Sequence, residues 1–398
     1  MVNHYPKDWR IVLLSELSIE GFQNGLFYEV ARKNKGIPII NVGDLYKSSP
    51  IANDKLELFN ATAEEIKRYQ VFNGDLFFTR SSIVPSGIAF CNWYRCSEKK
   101  AVVFDSHVVR FKTNTDVVNP MYLYLACIRP DARKYFLANA KTATMTTIDQ
   151  TVLGRCPIPY PALKEQTAIA EAVSDADNLI FSLQKLIEKK KAIKQGTMQE
   201  LLTGKKRLPG FSGKRKRKKL GNYIKFEVGF PFKSQYFNSQ HIGLRLIKNR
   251  DLKSDDQVYY TTEDVSSEYI VNNGDVLVGM DGDFTPCIWR KGVALLNQRV
   301  GRIGAFGMDL LFSYYLLQQP LQELQIGTGA TTVKHLSHFD VEELELTFPE
   351  EIKEQQAIAQ ALSDMDNDIE QLEKKLSKYQ QIKQGMMQDL LTGRIRLV

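Results

Sequence analysis

One sixteen-residue stretch occurs twice in this sequence with few changes: IKQGTMQELLTGKKRL begins at Ile193, and IKQGMMQDLLTGRIRL begins at Ile382. Aligning Leu163–Leu208 with Ile352–Leu397 gives identical residues at roughly three positions in five, which is a dense internal repeat. A chain built from two copies of one unit has an approximate twofold axis. A single catalytic centre does not require such a duplication.

Each copy of the repeat has the pattern of a long helix that packs against another helix. Apolar residues recur at alternating steps of four and three, which is the spacing of a coiled-coil seam. Gly204 and Gly393 follow the last helical positions as C-terminal caps, and Gly196 and Gly385 predict a kink or local break. Because a folded domain separates the two helices in sequence, we expect them to pair antiparallel. The predicted seam residues are Ile169, Val173, Ala176, Ile180, Leu183, Ile187, Ile358, Leu362, Met365, Ile369, Leu372 and Leu376.

The segments before the two helices also repeat, although more faintly. FNGDLFFTRSS (Phe72–Ser82) is similar to NNGDVLVGMDG (Asn272–Gly282), and in each an Asn-Gly-Asp turn precedes an expected strand. The sequence therefore predicts a mixed α/β (α+β) fold. Two similar domains would be separated by two long antiparallel coiled-coil helices, with a pseudo-twofold internal repeat.

The repeat also sets the predicted domain boundaries. At 398 residues the chain is longer than one ordinary domain, so two domains with connections are expected. We predict a first domain at 1–160, a central long helix at 161–204, a basic linker at 205–219, a second domain at 220–348 and a C-terminal long helix at 349–398.

The positive charge of the chain is concentrated in the predicted linker. Residues 205–219 contain nine Lys or Arg and no acidic residue, which exceeds the net +7 of the whole chain. The remainder is therefore slightly negative, and net charge alone is weak support for nucleic-acid binding. The sequence shows neither a long apolar segment nor a signal peptide, so we expect a cytoplasmic protein.

The motifs favour a binding protein over an enzyme. NPMY (Asn119–Tyr122) resembles the loop with which adenine methyltransferases hold a flipped base, but it lacks the second proline and a glycine-rich AdoMet loop. GTGATT (Gly327–Thr332) is not followed by the Gly-Lys-Ser/Thr of a phosphate-binding loop. His335 and His338 lack further ligands at zinc spacing. We therefore expect no catalytic residue and no metal site.

Several motifs resemble the specificity subunit of type I restriction–modification systems. The proline and Lys-Glu-Gln at each helix start, the AIA beyond it, IKQGMMQDLLTG, the RLPGF after the first copy and the duplicated layout carry this resemblance over the whole chain. In that family, one specificity subunit joins two modification subunits, which bind AdoMet and methylate adenine. Two restriction subunits add ATP-driven translocation and cleavage.

The resemblance implies a DNA-recognition chain that is not itself an enzyme. Each domain would be a target-recognition domain reading one half-site of double-stranded DNA, with an unspecified spacer between the half-sites. The chain would scaffold two modification subunits and, through them, restriction subunits. It would bind no cofactor itself, with AdoMet on the modification subunit and ATP and Mg on the restriction subunit.

The sequence departs from the family pattern at one place. The family commonly has a Trp shortly after LPGF, as Trp9 stands before Leu14 in the first half, but GKRKRKKLG (213–221) fills the second position. We therefore expect a looser start of the second domain, with the basic run near phosphates.

The matching loops of the two domains are the expected DNA readers, because sequence readout requires polar or planar side chains that reach base edges. Arg80 is the strongest single candidate, since an arginine–guanine pair is the most common specific contact. The other candidates are Ser81, Ser82, Lys141, Thr142, Thr144 and Thr146 in the first domain, and Asp281, Asp283, Thr285, Thr328, Thr331, Thr332 and Lys334 in the second.

Two other classes of protein stay open from the residues alone. A coiled-coil scaffold with two peptide- or protein-binding domains and no DNA recognition is consistent with the negative charge outside the linker. A self-sufficient methyltransferase is disfavoured by the missing AdoMet loop.

Overall fold

The structure is a computed structural model that describes residues 5–47, 49–53, 56–96, 100–326 and 335–397. The chain divides into two compact units. Unit 1 comprises Met1–Ser182 and Leu376–Val398, and unit 2 comprises Leu183–Lys375. Each unit therefore contains one α/β domain together with part of both long helices.

Unit 1 begins with a strand, and its domain alternates short strands with short helices. Its strands are β1 Arg10–Leu13, β2 Ser18–Asn24, β3 Lys33–Ile40, β4 Glu57–Phe59, β5 Leu76–Thr79, β6 Ser81–Ser82, β7 Cys91–Trp93, β8 Val103–Phe104, β9 Val108–Thr113, β10 Lys141–Thr142, β11 Thr146–Thr147 and β12 Pro157–Tyr160. Its helices are α1 Val42–Leu45, α2 Ala63–Tyr69, α3 Pro120–Ile128, α4 Pro130–Asn139, α5 Gln150–Gly154 and the long α6 Leu163–Thr203, which ends in unit 2.

Unit 2 is built in the same way. Its strands are β13 Arg215–Lys219, β14 Ile224–Val228, β15 Phe237–Asn238, β16 Leu244–Ile247, β17 Tyr259–Thr261, β18 Ile270–Val271, β19 Val276–Gly279, β20 Pro286–Ile288, β21 Ala294–Leu296, β22 Val300–Ala305 and β23 Glu345–Pro349. Its helices are α7 Leu310–Ile326, α8 His338–Glu342 and the long α9 Ile352–Leu391, which ends in unit 1.

Three sheets of unit 1 recur in unit 2, where one of them is extended on its two edges by β15 and β18. The antiparallel sheet β2-β9-β5-β7 of unit 1 is repeated as β14-β22-β19-β20 in unit 2. The order β4-β3-β8, with a parallel β3–β8 pair, is repeated as β17-β16-β21. The pair β1-β12 is repeated as β13-β23. The predicted fold class and internal repeat are therefore confirmed.

The Asn-Gly-Asp turns have the predicted position before a strand. Gly74 and Gly274 have φ values of +92° and +101°, a left-handed conformation that favours glycine. The carboxylates of Asp75 and Asp275 each accept a hydrogen bond of 2.9 Å from the backbone nitrogen three residues earlier. These turns lead directly into β5 and β19, the central strands of the two main sheets.

The long helices pair antiparallel within each unit, as predicted. In unit 2, Lys190 on α6 binds Asp368 on α9 at 2.9 Å, and Lys194, one turn later on α6, binds the earlier Asp366. In unit 1, Lys383 on α9 binds Asp177 on α6. Both helices run without interruption through the glycines at 196 and 385, so the expected local break is wrong.

The ends of the helices are part of the domain cores. Ile169 and Val173 lie in the apolar core of unit 1 with the C-terminal end of α9, and Ile358 and Leu362 lie in that of unit 2 with the C-terminal end of α6. Among the other predicted seam residues, Ile180, Leu183, Ile187 and Ile369 are buried, whereas Ala176, Met365, Leu372 and Leu376 are half-buried.

The predicted basic linker at 205–219 is corrected at its C-terminal end. Arg215–Lys219 form β13, because carboxylates distant in sequence neutralise this run and β23 supplies its hydrogen-bonding partner. The expected loose start of the second domain is therefore wrong, and these carboxylates compete with phosphate for the same cations. The ion pairs are Lys216–Glu350, Arg217–Glu345, Lys218–Glu350 and Lys219–Glu343.

Candidate DNA-recognition surfaces

The two predicted reader loops of unit 1 meet in one small sheet. β10, β11 and β6 pair antiparallel in that order, with Thr146 opposite Ser82 and Thr147 opposite Ser81. The loop after the Asn-Gly-Asp turn is therefore hydrogen-bonded to the loop that leads to α6. The two candidate loops, which are distant in sequence, therefore form one continuous surface in the fold.

The predicted readers in this sheet differ in exposure. Lys141, Thr142 and Thr144 are exposed, and Ser81 and Ser82 are half-buried. Thr146 is only 2% exposed, and its Oγ1 lies 3.2 Å from that of its neighbour across the β10–β11 pair. Because Thr146 packs inside the sheet, it is removed from the set of candidate readers.

Arg80 stands at the edge of this sheet with an exposed side chain. Its backbone is fixed on both sides, since its nitrogen donates to the His107 carbonyl at 2.9 Å and its carbonyl accepts from the Ile148 nitrogen at 3.2 Å. Within the described residues, the Arg80 guanidinium has no hydrogen-bond or ion-pair partner. A guanidinium on a fixed backbone with free donors suits a bidentate contact with guanine.

Arg80 lines a cleft of about 520 Å³ whose other walls are mostly polar. Two of the lining residues, Asn24 and Gln150, were missed by the sequence analysis, and the Gln150 amide nitrogen donates to the Asn24 side-chain oxygen at 3.1 Å. Carboxamide side chains are the usual partners of adenine edges. They are far apart in the chain, and only the fold brings them to one cleft. The remaining lining residues are Val109, Asn139, Lys141, Thr147, Ile148 and Asp149.

The equivalent place in unit 2 has a different composition. Asp281 forms an antiparallel bridge with His335, as Ser81 pairs with Thr147 in unit 1. Its Oδ1 lies 2.9 Å from His335 Nδ1 and 3.4 Å from Arg299 Nη1. The predicted acidic reader is therefore engaged by two side chains, and the sequence analysis had named neither Arg299 nor His335 as a reader.

The second acidic candidate of unit 2 is also held by its neighbours. Asp283 Oδ1 accepts from the Thr285 backbone nitrogen at 2.9 Å and from the Thr285 hydroxyl at 2.7 Å. Its other carboxylate oxygen pairs with Lys253. Thr285 is exposed. The remaining candidates of this unit, Thr328, Thr331, Thr332 and Lys334, lie outside the described residues.

The NPMY segment is a helix cap in this structure. The Asn119 side chain accepts hydrogen bonds from the backbone nitrogens of Met121 and Tyr122 at the start of α3. Tyr122 is fully buried, and its hydroxyl donates to the Pro159 carbonyl at 2.8 Å. Burial raises the pKa of this hydroxyl well above its ordinary value. These contacts account for the motif without a base pocket.

Among the residues the structure describes, there is no group of three or more His, Cys, Asp and Glu side chains that could hold a metal ion. The described helices include none that is both long and apolar enough to span a bilayer.

The chain matches the family profile described as type I restriction modification DNA specificity domain twice, over residues 6–195 and 213–384. A protein of Methanocaldococcus jannaschii assigned as the MjaX type I restriction enzyme specificity subunit is 26% identical over all of this chain and 96% of its own length. The EcoBI specificity subunit of Escherichia coli is 35% identical over 42% of this chain and 36% of its own length.

Two solved structures have a similar fold. The S subunit of the type I restriction-modification system from M. genitalium aligns with a TM-score of 0.61 and 14% identity, covering 98% of this chain and 96% of that one. A chain from a structural study of complex assembly in the type I R-M system aligns with a TM-score of 0.54 and 14% identity, covering 98% of this chain and 100% of that one.

Proposed function

This chain belongs to the type I restriction–modification DNA specificity family, and we propose that each of its two units reads one half-site of a bipartite DNA target. The candidate surfaces of the two units occupy equivalent places in the repeated fold but carry different side chains. Different side chains on equivalent surfaces favour two different half-sites. The interval between the half-sites would be contacted without base readout.

The observation that carries this proposal is the Arg80 cleft. An exposed arginine on a fixed backbone, beside two carboxamide side chains, matches the donors and acceptors of a major-groove base edge. Nearby, Lys141 pairs with Asp149 at 4.0 Å, the one carboxylate close to it in the part of the chain that the structure describes, and its side chain is 84% exposed, so it is available to a phosphate. A peptide-binding scaffold does not require this combination.

We propose that the helix pair presents equivalent surfaces to two modification subunits, with restriction subunits joining through them. The support is the reciprocity of the helices, since Lys383 binds Asp177 in unit 1 and the repeat-equivalent Lys194 binds Asp366 in unit 2. Repeated contacts favour repeated docking surfaces. AdoMet would then bind to the modification subunit, and ATP and Mg to the restriction subunit.

We propose further that this chain is not catalytic. The one segment that resembled a methyltransferase motif is explained as the cap of α3 and a buried tyrosine. AdoMet and duplex DNA incubated with this chain alone should give no methyl transfer. Activity should appear when a modification subunit is added.

The experiment that tests the proposal is selection from random duplex DNA by the purified chain, with and without a co-expressed modification subunit. We expect enrichment of a motif in two parts with a gap. Arg80→Ala is the matched variant, and it should change the preference at positions of one part only. Enrichment of no motif would support the scaffold interpretation, and methyl transfer by the chain alone would require an enzyme.

A further inference from the structure

The loop after β6 exposes two successive large apolar side chains. Ile83 is 82% exposed and Val84 is 60% exposed, directly after the reader strand that contains Ser81 and Ser82. Single exposed apolar residues are ordinary, but an exposed apolar patch indicates a contact surface. Arg80 precedes the same strand β6, and Lys141 lies on β10 of the same three-stranded sheet.

The two side chains form one side of a preformed cleft of about 640 Å³, which we call the Ile83 cleft. Its apolar walls are Tyr46, Ile83, Val84, Phe90 and Met145. The rings of Tyr46 and Phe90 lie 4.8 Å apart, and Met145 comes from the β10–β11 hairpin. The cleft is therefore assembled from both reader loops, from Val42 and Tyr46, and from His107.

Hydrogen bonds fix the loop in this position. The Ser82 hydroxyl donates to the Val84 carbonyl at 2.7 Å, and the Tyr46 hydroxyl donates to the Gly87 carbonyl at 3.1 Å. A side chain at Gly87 would meet the Ser82 and Tyr46 oxygens at 2.6 and 2.7 Å. A rigid loop loses little conformational freedom when a partner docks, which favours specific recognition.

The charge around the cleft selects the kind of partner. None of the described residues that line it is acidic, and the neighbouring reader surface carries Arg80 and Lys141. An apolar cleft beside cations fits a polyanion that displays a small apolar group. The corresponding loop of unit 2, Asp281–Thr285, instead carries two carboxylates.

We propose that the Ile83 cleft receives the C5-methyl group of a thymine in the half-site that unit 1 reads. This methyl is the only apolar group that the four bases present in the major groove, and apolar side chains are its usual contact. The inference rests on the proposed function, and it identifies Ile83 and Val84 as specificity-determining residues. Arg80 would read a neighbouring base pair from the adjoining cleft.

The test uses the full chain in complex with modification subunits and the duplex that this complex selects. Each thymine of the selected motif is replaced in turn by deoxyuridine, which lacks only the methyl group. In the half-site that changes when residues 1–160 are replaced, one substitution should weaken wild-type binding by about fourfold, the effect of one methyl group leaving an apolar contact. Ile83→Ser combined with Val84→Ser should bind the thymine and uracil duplexes equally.

The controls separate this contact from a general loss of binding. Ile19 is 58% exposed at the opposite end of β2 from Asn24, so Ile19→Ser changes an equally accessible side chain away from the cleft and should keep the response to uracil. Uracil in the other half-site should affect the wild type and the double variant alike. Unchanged affinity for that half-site also shows that the double variant is folded.

Several results would overturn the inference. The inference is wrong if the unit 1 half-site contains no A·T pair, or if uracil leaves wild-type binding unchanged at every position. It is also wrong if the double variant keeps the response to uracil. If the double variant no longer binds the modification subunit but keeps the response to uracil, the loop contacts a protein and not the thymine. If no two-part motif is selected, the proposed function fails and the inference fails with it. A motif without a uracil effect defeats the inference alone.

Discussion

Glu165 in unit 1 and Glu354 in unit 2 hold the same place in the repeat, and each carboxylate binds an arginine that follows the other long helix. Arg396, beyond α9, binds Glu165, and Arg207, beyond α6, binds Glu354. Both glutamates are about 1% exposed. The start of each helix is thus tied to the end of the other by the same pair of residue types.

The second partner of each glutamate differs between the units. Trp9 Nε1 donates to Glu165 at 3.1 Å, whereas Arg215 donates to Glu354 at 3.0 Å. Arg215 also donates to the Leu202 carbonyl at the end of α6, at 2.7 Å. Arg215 therefore donates to Glu354 in unit 2 as Trp9 donates to Glu165 in unit 1. This replacement explains how the second unit tolerates the missing Trp.

The reading surfaces differ far more than the helix ends. Arg80 has no side-chain partner among the described residues of unit 1, whereas in unit 2 the equivalent surface is a cluster in which Asp281 is held by Arg299 and His335. The contacts between the helix ends are repeated in the two units with small substitutions, whereas the side chains on the reader loops are not repeated. We infer from this contrast that the contacts at the helix ends stabilise the fold and that the loops determine specificity.

The largest effect is expected at the helix-end glutamates. Glu354→Ala leaves Arg207 and Arg215 without their carboxylate in a buried site, and should lower the free energy of unfolding by about 3–5 kcal/mol. Glu165→Ala should lower it less, because Arg396 is 32% exposed and keeps Asp8 at 2.8 Å. Denaturant unfolding of the two variants measures both losses in the free energy of unfolding.

Glu188→Ala serves as the control for this pair, because Glu188 is an exposed glutamate on α6. A surface change of this kind should stay within about 0.5 kcal/mol of the wild type. Equal losses for Glu165→Ala and Glu354→Ala would contradict the claimed difference between the two clusters.

The next effect concerns the free arginine of unit 1. Arg80→Ala should lose about 1–3 kcal/mol of discrimination at one base pair, because a bidentate contact is removed. Arg80→Lys should lose the same discrimination but keep more of the overall affinity, since it retains the charge without the planar fork. Binding to duplexes that carry each base at each position measures both quantities.

Arg299→Ala is the comparison in unit 2, where the position of Arg80 is taken by the buried Met280 and Arg299 occupies the position of His107. Its side chain is already bonded to Asp281 and His335, so we expect a smaller loss of discrimination. Equal effects of Arg80→Ala and Arg299→Ala would remove the distinction between a free and an engaged arginine.

The Asn-Gly-Asp turn of unit 1 should make the free energy of unfolding depend on pH. Asp75 is 2% exposed, and burial raises the pKa of its carboxyl group to about 6. This is above the ~3.9 of an unfolded chain, so its stabilising contribution is complete below about pH 4 and is lost as the pH rises through 6. Asp75→Asn, which keeps an acceptor oxygen, should therefore be more stable than wild type by up to about 3 kcal/mol at pH 7 and nearly equal to it near pH 4.

Urea unfolding between pH 4 and pH 8 measures this difference. Asp275→Asn makes the same change in the equivalent turn of unit 2, where the aspartate is half-buried, and controls for the altered turn itself. A difference between Asp75→Asn and wild type that stays constant with pH would show that burial of the carboxyl group is not its cause.

Much of the frame could be predicted from the sequence, because its determinants are local. The seam spacing, the cap positions of Gly204 and Gly393 and the Asn-Gly-Asp turns each depend on a few neighbouring residues, and Gly204 and Gly393 do adopt φ of +78° and +71°. β13 could not be predicted, because RKRKK has the composition of a solvated linker. Carboxylates from β23 and its flanks pair with this run only in the folded chain.

The candidate site could be predicted only in part for the same reason. Arg80 could be named as a candidate because it follows a recognisable turn and strand. Asn24, Gln150 and the burial of Thr146 depend on pairings between distant segments, and a single sequence carries no signal for those.

The smallest effect is expected at the reciprocal helix ion pairs. Lys194 and Asp366 are less exposed than Lys383 and Asp177, and Asp366 also accepts from the Tyr315 hydroxyl at 2.7 Å. Double-mutant cycles should give a coupling near 1 kcal/mol for the unit 2 pair and about 0.3–0.5 kcal/mol for the unit 1 pair. A stronger coupling in unit 1 would reverse this part of the comparison.

The most direct test of modular reading is the motif methylated by a complex whose residues 1–160 are replaced with the recognition domain of another specificity subunit. The frame contacts of unit 2 and its reader loops lie outside the replaced segment. We predict that one half-site changes completely while the other half-site keeps its sequence. A change in both half-sites at once would contradict the account, because it would mean that the two units do not read DNA independently.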